Sequence, residues 1–486
     1  MASAPKRIEL ISSAYDGKSI IASGQERVNL YAEINSRDPQ APARVTEYPT
    51  PGTASYSVPP IGADNARGCY RTSLGTAFYV VGPSVYFLSS TGVLIFIGAI
   101  ADRESQISFS DNGIVCVLVD GVNGYVIDLA TNAIGIITDP NFYGADYVAL
   151  LDTFFIFNVP DTNLWYISVS NASYLLLTTV GGFDPLDIAS KSGFNDPIVG
   201  IVSVHGELWL IGELTTEIWI GTGAADFYFQ RQQGAYINHG CGAQYSISTM
   251  DVLVFFIMQD QQGSGIIVQG QGYEVSEIST PRIVDMIKGW GFTDAIGFCF
   301  QVSDHPYYAL VFPTASKGLL WDLKSKQWSE WNWNDENGNF LRPRANCAMF
   351  VNGVNLVGDW ENGKLLTLST DLYTDEDSPI VRVRTFPHMT DGNVKVSYLR
   401  FQADIEPGTI VDQDADPQID LSWSDNKGRS YGNPISQSMG KTGEYSVSPS
   451  WNSLGEARDR VFKLSWATDN QTALNGGFVQ TNKARA

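Results

Sequence analysis

Residues 107–138 read ISFSDNGIVCVLVDGVNGYVIDLATNAIGIIT: four apolar runs (107–110, 114–119, 124–129 and 134–138) parted by turns. Val and Ile fill the runs, and β-branched side chains fit a pleated sheet better than a helix. Asn112-Gly113 joins the first two runs, and such dipeptides take the positive φ of a tight hairpin. The unit is therefore a four-stranded antiparallel sheet. The preceding residues repeat it, with runs at 69–72, 76–81, 84–88 and 93–97. Further along, Asp152-Thr153, His205-Gly206 and Asn352-Gly353 read as the same first hairpin turn, with Asp251 and His305 at that place in two more units. Second strands thus begin near residues 76, 114, 153, 207, 251, 305 and 354, a mean period of roughly 46, inside the range of propeller blades. A second echo is Tyr125-Val-Ile-Asp-Leu-Ala-Thr-Asn against Leu320-Trp-Asp-Leu-Lys-Ser-Lys, each a third strand, a polar turn and a fourth. The expected fold is all-β, a β-propeller of six or seven blades, which hides most strand edges by radial packing. A pair of β-sandwiches is the competing arrangement.

Composition agrees. The 486 residues hold 24 Phe, 22 Tyr, 12 Trp and 46 Gly, with only 17% charged. So many large apolar groups exclude a disordered chain. Net charge is −21, which lacks the phosphate-neutralising surface of a non-specific DNA binder. Met1-Ala-Ser-Ala-Pro-Lys-Arg7 is not followed by an unbroken apolar stretch, so no signal peptide is expected. The longest apolar runs, 93–101 and 252–258, are less than half a membrane span, and no stable membrane insertion is expected. The reading is a soluble chain made in a cytoplasm.

Three domains are expected. Residues 1–55, polar and carrying Pro39, Pro42, Pro49 and Pro51, read as an extended N-terminal arm; 56–375 is the propeller. Beyond the acidic run 371–379, residues 380–486 alternate apolar and polar at 381–384, 394–403, 418–423, 445–449 and 461–467, a β-sandwich-like C-terminal domain with one wet face. Helix is expected only around 282–290. The arm is expected to serve assembly and to be removable with the propeller still folded.

No catalytic, cofactor-binding or metal residues are assigned. Cys69, Cys116, Cys241, Cys299 and Cys347 form no CxxC pair and read as small strand residues in a reducing compartment. His205 and His305 fall at hairpin turns, His388 follows Pro387, and His239-Gly-Cys241 lacks further ligands. Asp412-Gln-Asp414-Ala-Asp416 opens like a calcium loop, but Pro417 replaces the turn glycine and Trp423 the bidentate Glu. Residues 424–431, Ser-Asp-Asn-Lys-Gly-Arg-Ser-Tyr, approximate an Asp-box hairpin with Asn426 at the aspartate position. Neither a second box, an arginine cluster nor a GxSxG elbow accompanies it.

Several segments together resemble the tail hub, or nozzle, proteins of short-tailed bacteriophages, also called packaged-DNA stabilisation proteins. They are Asn29-Leu-Tyr31-Ala-Glu33, Tyr48-Pro-Thr-Pro51-Gly52, Gly212-Glu-Leu-Thr-Thr-Glu217-Ile-Trp219-Ile-Gly-Thr-Gly223, Asp226-Phe-Tyr-Phe229, Gly240-Cys241 and Glu277-Ile-Ser-Thr280. At the C-terminus come 440–445 and Trp451-Asn-Ser-Leu454-Gly-Glu-Ala-Arg458-Asp-Arg460-Val-Phe462. Asn238-His239 departs from the acidic residue expected there. The resemblance implies a homo-hexameric ring in the virion tail, below the portal and a head-to-tail adaptor ring. It also implies that the ring retains genomic DNA, forms its exit channel and anchors tail fibres or a tailspike. An acidic lumen would let DNA pass without specific binding. The alternative class is a propeller-type glycan-binding protein or glycosidase.

Overall fold

The computed structural model describes residues 5–8, 25–35 and 45–483, apart from 225, 261, 336, 408–415, 442, 443 and 445. Seven four-stranded antiparallel sheets follow one another around an axis. Six are contiguous in sequence: 66–99, 108–136, 148–190, 198–237, 248–277 and 296–330, blades 1 to 6. Blade 7 takes three strands from 345–369 and its outermost strand, Gly52–Ser57, from the chain's beginning. Second strands start at Ala77, Val115, Phe154, Glu207, Leu253, His305 and Val354, within two residues of the positions read from the period.

The turns show why the spacing was legible. Asp152 and Thr153, His205 and Gly206, and Asn352 and Gly353 all have positive φ in pairs, the mark of a type I′ hairpin. At Asn112-Gly113 only Gly113 is positive; Asn112 instead accepts bonds from the N–H groups of Ile114 and Val115. His305 is not a turn residue. Val302 pairs with His305, so Ser303 and Asp304 make the turn, and the His305 Nδ1 lies 2.8 Å from Asp322 Oδ2, buried. Asp128 and Asp322 close the echoed third strands, each accepting from the turn that follows.

At this same end of the disc, neighbouring blades are riveted. The first hairpin of one blade bonds to the segment after the third strand of the next: Asn112 to Ala172 O (2.9 Å), Tyr228 to Asp152 (3.4 Å), Tyr273 to Glu207 (2.7 Å) and Ser303 to Thr370 (3.2 Å). Apolar clusters fill the wedges between blades, such as Tyr79, Tyr86, Met349 and Leu365 between blades 1 and 7.

The stretch expected as an extended arm is, in its described part, paired strand. Leu30–Ile34 and Val45–Pro49 form a hairpin inside the C-terminal sandwich, and Gly52–Ser57 closes the propeller. Its proline-rich, polar composition conceals this because the partners of Arg27–Val28, Val45–Pro49 and Gly52–Ser57 in the sheets lie more than 300 residues away. The sandwich has two sheets around Phe386, Phe401, Trp451, Phe462 and Leu474. One orders Leu30–Ile34, Val45–Pro49, Thr472–Lys483, Val396–Pro407 and Ser450–Asn452. The other continues blade 6: Gln327–Glu330 pairs with Arg27–Val28, then Arg382–Thr385, Asp459–Trp466, Gln418–Ser424 and Ile435–Ser438 follow. A single ten-stranded sheet therefore runs from propeller into sandwich.

Thr472–Lys483, twelve residues long, was not read as a strand because Asn475-Gly-Gly477 interrupts its pattern. The strand expected at 445–449 lies at Ser450–Asn452 instead. The helix near 282–290 is Pro281–Trp290, and a further short helix, Tyr174–Thr178, sits between the last two strands of blade 3. Gly52 shows how tight the closure is. A side chain there would place its first carbon 2.5 Å from Leu372 O and 2.6 Å from Thr374 O. Gly52→Ala should lower unfolding free energy by about 1–3 kcal/mol, as overpacking does. Deleting residues 1–57 should unfold the propeller instead of sparing it, which thermal denaturation with limited proteolysis would read.

Candidate functional site

The segments that carry the family resemblance meet at three buried polar joints. The first welds propeller to sandwich. Asn29, with φ 54° and no exposure, bonds Glu330 O through its N–H and Val381 O through Nδ2. It also accepts from the N–H groups of Asn332 and Thr50. Beside it the Glu47 carboxylate, 0% exposed, meets Arg27 at 2.9 Å and Arg384 at 2.8 Å. Tyr31 packs edge-on against His305 and Tyr307 of blade 6, and burial, then Glu33, pushes its phenol up.

The second joint lies in blade 4. Lys191 pairs with Asp196 and donates to Thr215 O and Oγ1, both at 2.8 Å, while Asp196 accepts from Leu214 N and Thr215 N. Burial lowers the Lys191 ammonium. It opposes ionisation of Asp196 too, but the bond from Lys191 and those from Leu214 and Thr215 prevail, leaving that carboxyl below its ordinary value. Glu217 accepts from the N–H groups of Ser192 and Gly193 and from Trp219 Nε1. Thr216 holds His239 O. The Gly212–Gly223 motif thus fixes the loops entering and leaving its blade.

The third is Arg460, 1% exposed, forked onto Asp425 at 2.6 and 2.8 Å, bonded to Leu454 O and lying over the Tyr398 and Trp423 rings. Asp425 belongs to the Asp-box-like hairpin, where Asn426 accepts from Ser424 Oγ and Ser430 N. The box is a folding element. Thr280, ending another resemblance segment, caps the helix Pro281–Trp290 by accepting from Ile283 N.

The sequence candidates do not converge. His239 is exposed while Cys241 is buried, its thiol bonded to Ala243 O. His388 pairs with Asp459 at 2.8 Å. Cys69 and Cys347 face one another between blades 1 and 7; burial, then that hydrogen bond, raises the Cys69 thiol. Asp412 and Asp414 lie outside the described residues, and Asp416 accepts from Ser438. Among the described residues no cluster of three His, Cys, Asp or Glu could hold a metal, and no helix is long and apolar enough to cross a membrane.

The seven inner strands enclose an axial cavity of about 750 Å3, lined by Tyr70, Arg71, Asp111, Ser203, Thr249 and Asn346 among others. That is a small-molecule volume; a DNA duplex does not fit inside one propeller.

Two domains, a seven-bladed propeller and a sandwich joined by an unbroken sheet and by buried polar joints, define a rigid structural protein. The chain belongs to the bacteriophage P22 Gp10 family, the tail hub or nozzle proteins of short-tailed phages: its β-propeller model matches residues 36–373 and its β-sandwich model 382–482. No curated protein matches the chain. Solved structures resemble it in part. The extracellular domain of the putative hybrid two component system BT4673 from B. thetaiotaomicron shares 9% identity at TM-score 0.41. The match covers 66% of this chain and 40% of that one. The Neurospora crassa Pan2 WD40 domain shares 8% at TM-score 0.38, covering 66% and 95%.

Two substitutions test the joints. Glu47→Gln should lower stability by about 3–5 kcal/mol, because it strands two buried guanidiniums. Asp375, whose Oδ1 accepts from Thr53 in the closing strand, is pushed by burial from 3.8 to about 6 despite Arg382 and Arg344. Below pH 3.8 both states carry its proton. From there to about 6 only the unfolded chain releases it, so stability falls as pH rises through that window. Asp375→Asn should therefore stabilise by on the order of 1–3 kcal/mol at pH 7 and change nothing at pH 3, read by denaturant melts at both.

Proposed function

We propose that this phage tail structural protein forms a homo-hexameric hub or nozzle ring beneath the adaptor. In this reading it retains packaged DNA, provides the exit channel and anchors fibres or a tailspike, without catalytic activity. Membership of the P22 Gp10 family over both domains carries the proposal. The architecture supports it mechanically. A pressurised exit needs a part that does not hinge, and the ten-stranded sheet leaves no linker between propeller and sandwich.

Because the axial cavity is too small for a duplex, the channel in this reading lies between copies of the chain, not through a blade ring. All of the net charge falls on the propeller. Of 31 Lys+Arg and 52 Asp+Glu, residues 1–57 hold six of each and 380–486 twelve of each, leaving −21 on 58–379. An acidic wall repels phosphate and gives a passing duplex nowhere to lodge.

Particles assembled without this protein should package DNA and then lose it, and adding the purified chain should restore retention, measured as nuclease-resistant genome. DNA binding by the chain alone should be negligible at 150 mM salt and scarcely greater at 50 mM, whereas a basic channel would show a steep salt slope. Nuclease-resistant particles formed without the protein, or tight salt-dependent binding, would reject the reading.

A further inference from the structure

Blades 1 to 3 carry an outer surface unlike the rest of the disc. The outermost strand of blade 1, Leu94–Ala99, reads LIFIGA, with neither a charge nor a proline along its free edge. Natural edge strands are usually guarded by such residues. Blade 5 guards its edge with Glu274 and Glu277, blade 4 has Arg231, and blades 6 and 7 have theirs covered by Arg27–Val28 and by the 374–379 hairpin. Only blade 1 offers a long bare one among the described residues.

The apolar surface continues beyond that strand. A side chain at Gly98 would meet Ile134 of blade 2, and one at Gly135 would meet Tyr174 and Thr178 of the short helix in blade 3. Thr138 bonds Thr178 O. Along this wall Ile95, Ile136, Leu175, Leu176 and Val180 are exposed, from 39% to 75%. Residues 66–190 contain no lysine and three arginines, of which Arg67 is buried and Arg103 pairs with Asp120. Against these three arginines the same residues hold eleven Asp and Glu, and apolar side chains left exposed side by side on such a surface mark an interaction site.

Two observations choose its occupant. The first is charge: another propeller would bring −21 against an acidic neighbour, whereas residues 1–57 and 380–486, which build the sandwich, sum to zero. The second is placement. The sandwich grows from blade 6, and in a seven-bladed disc the point opposite blade 6 lies between blades 2 and 3. Patches on different sides of a protomer make heterologous contacts, which build a ring when the rotation between successive copies closes and an open filament when it does not.

We infer that the apolar wall of blades 1–3 receives the sandwich domain of a second copy, head to tail, and that this contact builds the ring. The inference rests on the hub reading and names its subunit interface. Replacing Ile95 by the photoreactive p-benzoylphenylalanine in the full chain and irradiating assembled rings should give intersubunit cross-links to residues 25–49 or 380–483. Ile95→Glu with Ile136→Glu should raise the ring dissociation constant roughly tenfold or more, since each buries an unpaired carboxylate. The melting temperature should hold, and Val252→Glu on blade 5, also exposed, should assemble normally. Rings that form with unchanged affinity in the double variant, or cross-links to residues 58–379 or to an adaptor or fibre protein, would overturn the interface and leave the hub reading standing. A chain that stays monomeric at every concentration, with the adaptor present, would overturn both.

Discussion

The pairing of Gly52–Ser57 with Leu365–Ser369 is the contact on which the rest of the molecule depends. An open arc of blades leaves two unpaired apolar faces, and a closed ring leaves none. Here the last strand to be needed is among the first to be made. It also follows directly on Val45–Pro49, which is a sandwich strand. Neither domain can be completed without the segment that completes the other. This is why Gly52 has no room for a side chain, with two backbone carbonyls against it.

The polar joints turn that topology into one geometry. A buried ion pair adds little net stability over an apolar pair of the same volume, but leaving one partner alone is heavily penalised. Arg27, Glu47 and Arg384 come from three separate strands, so the cluster is satisfied in one arrangement of those strands. Asn29 does the same for the exit of blade 6 and the start of the sandwich. The segments by which the chain resembles the tail hub family are therefore held in structural joints. They are the places where the fold admits no alternative, as expected of a phage tail structural protein.

Charge is distributed as sharply as the joints are placed. The propeller carries the whole of the net charge, while the two terminal regions balance to zero and interlock as one sandwich. Within the propeller, carboxylates bind turn N–H groups, as Asp111, Asp120 and Asp128 do. Much of the acidity is thus local turn chemistry, and its sum becomes a long-range field.

The blades were legible in the sequence because each is held by contacts a few residues apart. Asn352-Gly353 makes its hairpin whatever surrounds it, and Val115 to Val119 announce a buried strand by composition alone. His305 misleads because a histidine beside Asp304 looks like a turn tip, and only Asp322, on the neighbouring strand, draws it inside. Thr472–Lys483, Val45–Pro49 and Gly52–Ser57 are hidden for the same reason, since glycine, asparagine and proline interrupt their patterns while their partners lie far along the chain. The sequence by itself determined the all-β class, the repeat and its period, and the family, all of which rest on local periodicity or short motifs. Tertiary structure alone decided the closure at seven blades, the joining of two domains through one sheet, and the burial of Asn29 and Glu47. Those depend on which distant segment supplies the missing hydrogen bonds, and no local pattern encodes that choice.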